Sequence, residues 1–114
     1  TLDINRLYRK GCEGGRMLWG YTSLNIACVF GHEDIVALLL RHPNINVNCT
    51  VPRQEHALFS TVMRNKFRCF QMLLDDPRTN VNCRGGTFNV SILDNVCWKP
   101  ERVEFARALL LHPS

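Results

Sequence analysis

The chain has 114 residues, 46% of them hydrophobic and 21% charged, with a formal net charge of +4 at pH 7. This balance predicts one globular domain, and no apolar run approaches the ~18 residues of a membrane span, so no membrane partner is expected. Basic side chains are scattered, with Arg64, Lys66 and Arg68 the only close cluster, so the dense cationic stripe of a nucleic-acid binder is missing and no such partner is expected.

In chain order, the first feature is an interval rich in glycine and positive charge. Gly11, Gly14, Gly15 and Gly20 lie among Arg6, Arg9, Lys10 and Arg16, which predicts an extended hairpin near 6–20. A short helix from Asp3 to Arg9, with Asp3 as its cap, is the alternative.

Two short helices follow, TSLNIACVF and HEDIVALLL. In the first, Leu24, Ala27 and Cys28 share one face at i, i+3 and i+4, and the small pair admits a close neighbour. Gly31 ends it, because glycine takes positive φ without a Cβ clash. Ile35, Val36, Leu39 and Leu40 form the apolar stripe of the second helix, which cannot continue far past Pro43. Isolated helices shorter than ~12 residues are unstable in water, so each must be held by stacked neighbours.

Those neighbours are visible as a repeat. A shift of 34 positions superposes Leu24 on Leu58 and Ile92, Leu39-Leu40 on Leu73-Leu74, Pro43 on Pro77, and Val47-Asn48-Cys49 on Val81-Asn82-Cys83. In the second unit His56 holds the place of Thr22 and is expected to make the hydrogen bond between repeats, while Asn65 holds that of Gly31. Asparagine is the next most tolerable residue there. The second helix of this unit reads Phe67, Cys69, Phe70, Met72, Leu73 and Leu74. In the third unit a first helix is expected over Val90 to Trp98, Pro100 breaks it, and Glu101 opens the second helix after two extra residues. The first unit is longer by an insertion, since 17 positions separate Asn5 from Thr22 against 8 from Asn48 to His56 and 8 from Asn82 to Val90.

Thr22, Leu24, Ala27, Gly31, His32, Asp34, Ile35, Val36, Leu39, Leu40, Val47 and Asn48 fall where an ankyrin repeat has them, and on these residues the chain resembles the ankyrin repeat family. The recurring Asn-Val-Asn turn, and the absence of a Trp, Gly and Tyr pattern, set it apart from tetratricopeptide repeats. The resemblance implies an all-α solenoid of stacked helix-turn-helix pairs with hairpin-like connecting turns. It implies a single domain over 1–114 with units of about 1–43, 44–77 and 78–114. Both ends of the sequence fall at one phase of the repeat, from which other repeats of the same chain are expected at both ends.

The chemistry-bearing residues form no reactive set. Six cysteines include no Cys-x-x-Cys pair, so zinc is not expected, nor any cofactor. Cys49 and Cys83 are equivalent positions in units spaced by ~8–10 Å, beyond the reach of a disulfide. Cys28 and Cys69 fall on core faces and read as small hydrophobes. Free thiols and the absence of a signal segment point to an intracellular protein, cytoplasmic or nuclear. His32, His42, His56 and His112 sit at helix ends, and no serine or cysteine stands beside a base, so no enzyme is expected. The sequons Asn48-Cys49-Thr50 and Asn89-Val90-Ser91 read as coincidence. Asn48 and Asn82 resemble asparagines that are hydroxylated in ankyrin repeats, although the acidic residue favoured two positions before is replaced by Asn46 and Asn80. The other reading is that they brace the turns through their side chains.

Ankyrin proteins bind other proteins on a concave face made by turn tips and first helices. Carried onto this chain, that face takes Trp19, Tyr21, Val29 and Phe30 in unit one, Thr50, Arg53, Glu55, Met63 and Arg64 in unit two, and Arg84, Thr87, Asn89 and Trp98 in unit three. Trp, Tyr, Met and Arg are the residues expected of an interface. Trp19 and Phe30 can equally pack under the inserted segment or against a preceding unit. Two roles follow: a protein-interaction module whose partner is another protein, or a structural spacer inside a longer array, with no partner of its own.

Overall fold

A computed structural model describes residues 4–5, 21–48, 56–85 and 90–112. The inserted segment near 6–20, together with Trp19, Thr50, Arg53, Glu55, Thr87 and Asn89, lies outside the described residues. Among those described there are six α-helices in three antiparallel pairs: α1 (Ser23–Phe30) with α2 (Glu33–Leu40), α3 (Ala57–Met63) with α4 (Phe67–Asp75), and α5 (Ile92–Cys97) with α6 (Val103–Leu111). Helix α1 packs on α3, α2 on α4, and α4 on α6, so the second helices form one layer, while α5 meets α3 through Met63 and Asn95.

Each helix boundary has a local cause. At α1 the Asn25 N–H donates to Thr22 Oγ1 at 3.2 Å, and the Thr22 N–H donates back to Asn25 Oδ1 at 3.2 Å. This reciprocal box satisfies two donors that a helix start otherwise strands. Gly31 closes the helix at φ 71°, and the His32 N–H returns to Ala27 O at 2.9 Å. Unit two repeats that ending with Asn65 at φ 58° and the Lys66 N–H on Thr61 O at 2.8 Å, as its sequence predicts.

The third unit departs from expectation at both helix starts. Val90 and Ser91 form β2, paired antiparallel with β1 (Arg84–Gly85), so α5 begins only at Ile92. Valine has no side-chain acceptor with which to cap, and Ser91 takes that role, its Oγ accepting from the Asp94 N–H at 3.2 Å. After Trp98 the chain turns through a 3-10 segment, Pro100–Arg102, before α6. That turn absorbs the two extra residues.

The core runs along the stack through Leu24, Cys28, Val36, Leu58, Phe59, Cys69, Phe70, Leu73, Ile92, Val96 and Phe105, all buried. Phe105 holds the third pair by edge contacts to Phe67 and Phe70, with ring centroids 5.1 and 4.9 Å away. Ile35 departs from the expected stripe and is 49% exposed. Its equivalents Cys69 and Phe105 are buried against the preceding second helix, and no described helix flanks α2 on that side.

The turns are locked unit to unit. Asn5 donates from Nδ2 to Asn44 O at 2.9 Å and accepts the Asn46 N–H on Oδ1 at 2.8 Å. Asn48 repeats this with Arg78 O and the Asn80 N–H, both at 2.8 Å. Arg78 adds a staple: its Nη2 reaches Leu40 O at 2.6 Å and its Nη1 reaches His42 O at 3.0 Å, capping the last carbonyls of α2 from the next unit. Asp76 holds the guanidinium in place at 2.7 Å.

Candidate functional site

Because the units share one period, the last residues of the first helices fall in register. Phe30 ends α1, Arg64 caps α3 and Trp98 caps α5. Phe30 and Trp98 are 51% and 55% exposed, and Arg64 is exposed between them. A parallel row holds Val29, half-buried, Met63, 45% exposed, and Cys97, exposed. Tyr21 is half-buried before α1, and Arg84 is exposed on β1. Of the expected interface, Val29, Phe30, Met63, Arg64 and Trp98 thus sit at the C-terminal ends of the first helices, while Tyr21 precedes α1 and Arg84 lies on β1.

Phe30 leans on the His32 ring, with centroids 6.1 Å apart. The His32 side chain makes no capping hydrogen bond to α2. Lys66 crosses beside Gly31: a Cβ built on that glycine would meet Lys66 Cδ at 2.9 Å and Nζ at 3.5 Å. The ammonium therefore lies next to the Phe30 end of the row. Met63 does double service, for its sulfur lies 3.6 Å from Asn95 Nδ2 and 3.9 Å from Arg102 Nη2. Arg102 is buried and donates to Asn95 Oδ1 at 2.7 Å and Asn95 O at 3.2 Å, so these three side chains join unit two to unit three.

The titratable groups are tuned by packing. Burial pushes the Cys28 thiol far up, with the neighbouring Cys69 adding to the rise. Burial likewise raises Cys69 and pushes Cys83 up to about 11. Neutral thiols of this kind are poor nucleophiles and poor metal ligands. His56 does not make the expected bond between repeats. It starts α3 without a side-chain cap, its Nδ1 is buried without a partner, and burial lowers its pKa. An imidazole is bulkier than the threonine hydroxyl it replaces, and Phe59 stands where Asn25 completes the box in unit one.

Asn48 and Asn82 differ despite equivalent positions. The amide of Asn48 is committed at both ends to the next turn, whereas Asn82 is exposed and its side chain makes no hydrogen bond among the described residues. Sequence reasoning missed Asn5, Arg78, Asn95 and Arg102. Asn5 was legible from its alignment with Asn48 and Asn82; the others bond across units at positions that do not recur. Among the described residues no group of three His, Cys, Asp or Glu could hold a metal ion, and no helix is long and apolar enough to cross a membrane.

A family model described as Ankyrin repeats (3 copies) matches residues 3–85. The chain belongs to the ankyrin repeat family. Ankyrin repeats are in general protein-interaction modules and are typically non-catalytic. The matched segment ends at Gly85, and the ankyrin chain continues beyond it with the pair α5 and α6, packed on α4 through Phe105. Comparison with curated proteins and with solved structures returned no match.

Proposed function

We propose that this ankyrin domain is a non-catalytic interaction module that docks a partner peptide or domain on its first-helix face and turn tips. The observation that carries the reading is the in-register exposure of Phe30, Met63, Arg64 and Trp98 at the C-terminal ends of the first helices, with Arg84 exposed on β1 at the turn end. Large apolar side chains grouped at equivalent helix ends mark a surface that another protein covers, and arginine adds charge-assisted contacts to carboxylates. Trp19 and Arg53 belong to the proposed partner-binding set with them. The domain spans 1–114 in units of about 1–43, 44–77 and 78–114, and works inside the cell, in cytoplasm or nucleus.

A second reading, the spacer within a longer array, is favoured by the ends of the stack. Leu110 is 71% exposed although its equivalent Leu74 is buried. Further repeats at both ends would cover Leu110 and Ile35. Of the two asparagines, Asn82 is the better substrate for hydroxylation, since Asn48 would first have to release both of its bonds.

Affinity capture from cell lysate tests the module reading. The parent chain is run beside the double variant Arg64→Ala and Trp98→Ala, and beside Asp34→Ala and Asp75→Ala on the second-helix layer. Loss of one identified protein with the first variant alone supports the reading. Capture unaffected by the first variant moves the surface elsewhere, and no capture by a folded chain favours the spacer.

A further inference from the structure

Arg102 is a buried cation without a counter-charge among the described residues. It is 8% exposed and stands where the 3-10 turn meets α6. Its Nη1 is committed to Asn95, donating to Oδ1 at 2.7 Å and to the backbone oxygen at 3.2 Å. Its Nη2 meets only the Met63 sulfur, at 3.9 Å, and a thioether is a weak acceptor. Nε has no hydrogen-bond partner. Since His56 Nδ1 is the one unpartnered side-chain nitrogen or oxygen sealed from solvent among the described residues, Arg102 Nε touches solvent. No carboxylate among the described residues lies within ion-pair distance of this guanidinium. The side chain over Nη2, Met63, is itself 45% exposed, so the open edge lies directly beneath the surface.

Arg78 shows what such an edge takes. There Nε and Nη2 grip the Asp76 carboxylate side-on, at 3.0 and 2.7 Å, while Nη1 serves the His42 carbonyl. Arg102 repeats the arrangement without the acid, although it is the more buried of the two. An unpaired charge held out of water is costly, and a carboxylate closing on the two parallel donors forms a pair of charge-assisted bonds. Its single negative charge matches the single cation, whereas a phosphate would bring a second charge that nothing there balances. Resting on the module reading above, we propose that the partner docks an aspartate or glutamate side chain on the Nε–Nη2 edge of Arg102. Met63 swings aside to admit it, as an unbranched and flexible side chain can, and then packs against an apolar neighbour of that acid.

The probe is a display library of random twelve-residue peptides selected on the full chain, with the enriched peptides synthesised and titrated into isotope-labelled protein by NMR. The proposal expects an Asp or Glu in these peptides whose exchange for Asn or Gln weakens binding about ten-fold or more. The acidic form should also move the Arg102 Nε–H signal, which is assigned by its loss in Arg102→Lys. Both readouts use the unaltered chain, so neither depends on a variant that must fold. Peptides that move the Met63 and Trp98 signals, yet leave Arg102 Nε–H in place or bind equally well as the amide, overturn the carboxylate site and leave the module surface intact. Peptides that move none of Phe30, Met63, Trp98 and Arg102 overturn the site and that surface together. Absence of enrichment overturns the acidic segment as ligand, while a lysate partner still lost with Arg64→Ala and Trp98→Ala keeps the module reading.

Discussion

Asn48 and Asn82 occupy the same place in successive units, yet the same substitution should affect them differently. Asn48→Ala removes two hydrogen bonds, one to the partly buried Arg78 carbonyl and one from the exposed Asn80 N–H. A net hydrogen bond is worth about 1 kcal/mol, so the loss should be about 2 kcal/mol. For a domain near this size that corresponds to about 8 °C or more in Tm. Asn82→Ala removes no side-chain bond among the described residues and should stay within about 0.5 kcal/mol of the parent. Urea unfolding followed by circular dichroism measures both, with an unchanged m-value confirming that the unfolded state is not what moved. Asn48→Asp should sit near the alanine variant, because its carboxylate keeps the bond from Asn80 but faces the Arg78 carbonyl. Equal losses at Asn48 and Asn82 would refute the account of how the units are locked.

Three further outcomes follow from individual side chains. His56→Thr should stabilise the protein by about 1 kcal/mol by supplying the missing cap. It should also remove a pH dependence: the folded pKa of His56 is lowered by burial, so its neutral form contributes stability above the unfolded value of about 6.5 that is lost as pH falls through the folded pKa. Melting curves between pH 7 and 5 on parent and variant measure the difference. Gly31→Ala should cost about 1–2 kcal/mol, since φ 71° strains a side chain and the new Cβ meets Lys66; chemical denaturation reads it. Phe105→Ala should cost about 3–5 kcal/mol and expose α6 to amide exchange before α1 to α4, because Phe105 carries the contacts to Phe67 and Phe70.

Much of this fold was legible because the repeat restates each requirement. Gly31 and Asn65 both announce a left-handed helix end, and both have positive φ. Cys28 and Cys69 announce close packing, and both are fully buried. What failed was transfer by position alone. His56 inherits the place of Thr22 but not its geometry, and Val90 inherits a helix start that only Ser91 can cap. Ile35 matched the apolar stripe, but burial at that position depends on what flanks α2, which periodicity does not report. Arg78 was invisible because its bonds reach back to Leu40 and His42, residues that a local pattern does not connect. The row of Phe30, Arg64 and Trp98 was readable as composition. Its exposure became plain only once the three helix ends were placed.

The central claim is that these helix ends, and not the ends of the stack, meet the partner. Hydroxyl-radical footprinting of the captured complex tests it most directly, since it reads side-chain protection residue by residue. The account predicts that Phe30, Met63 and Trp98 become protected while Leu38, Leu110 and Leu111, also exposed in the free chain, stay reactive. Protection of Leu110 and Leu111, with Phe30 and Trp98 unchanged, would contradict it and place the contact at the open end of the stack.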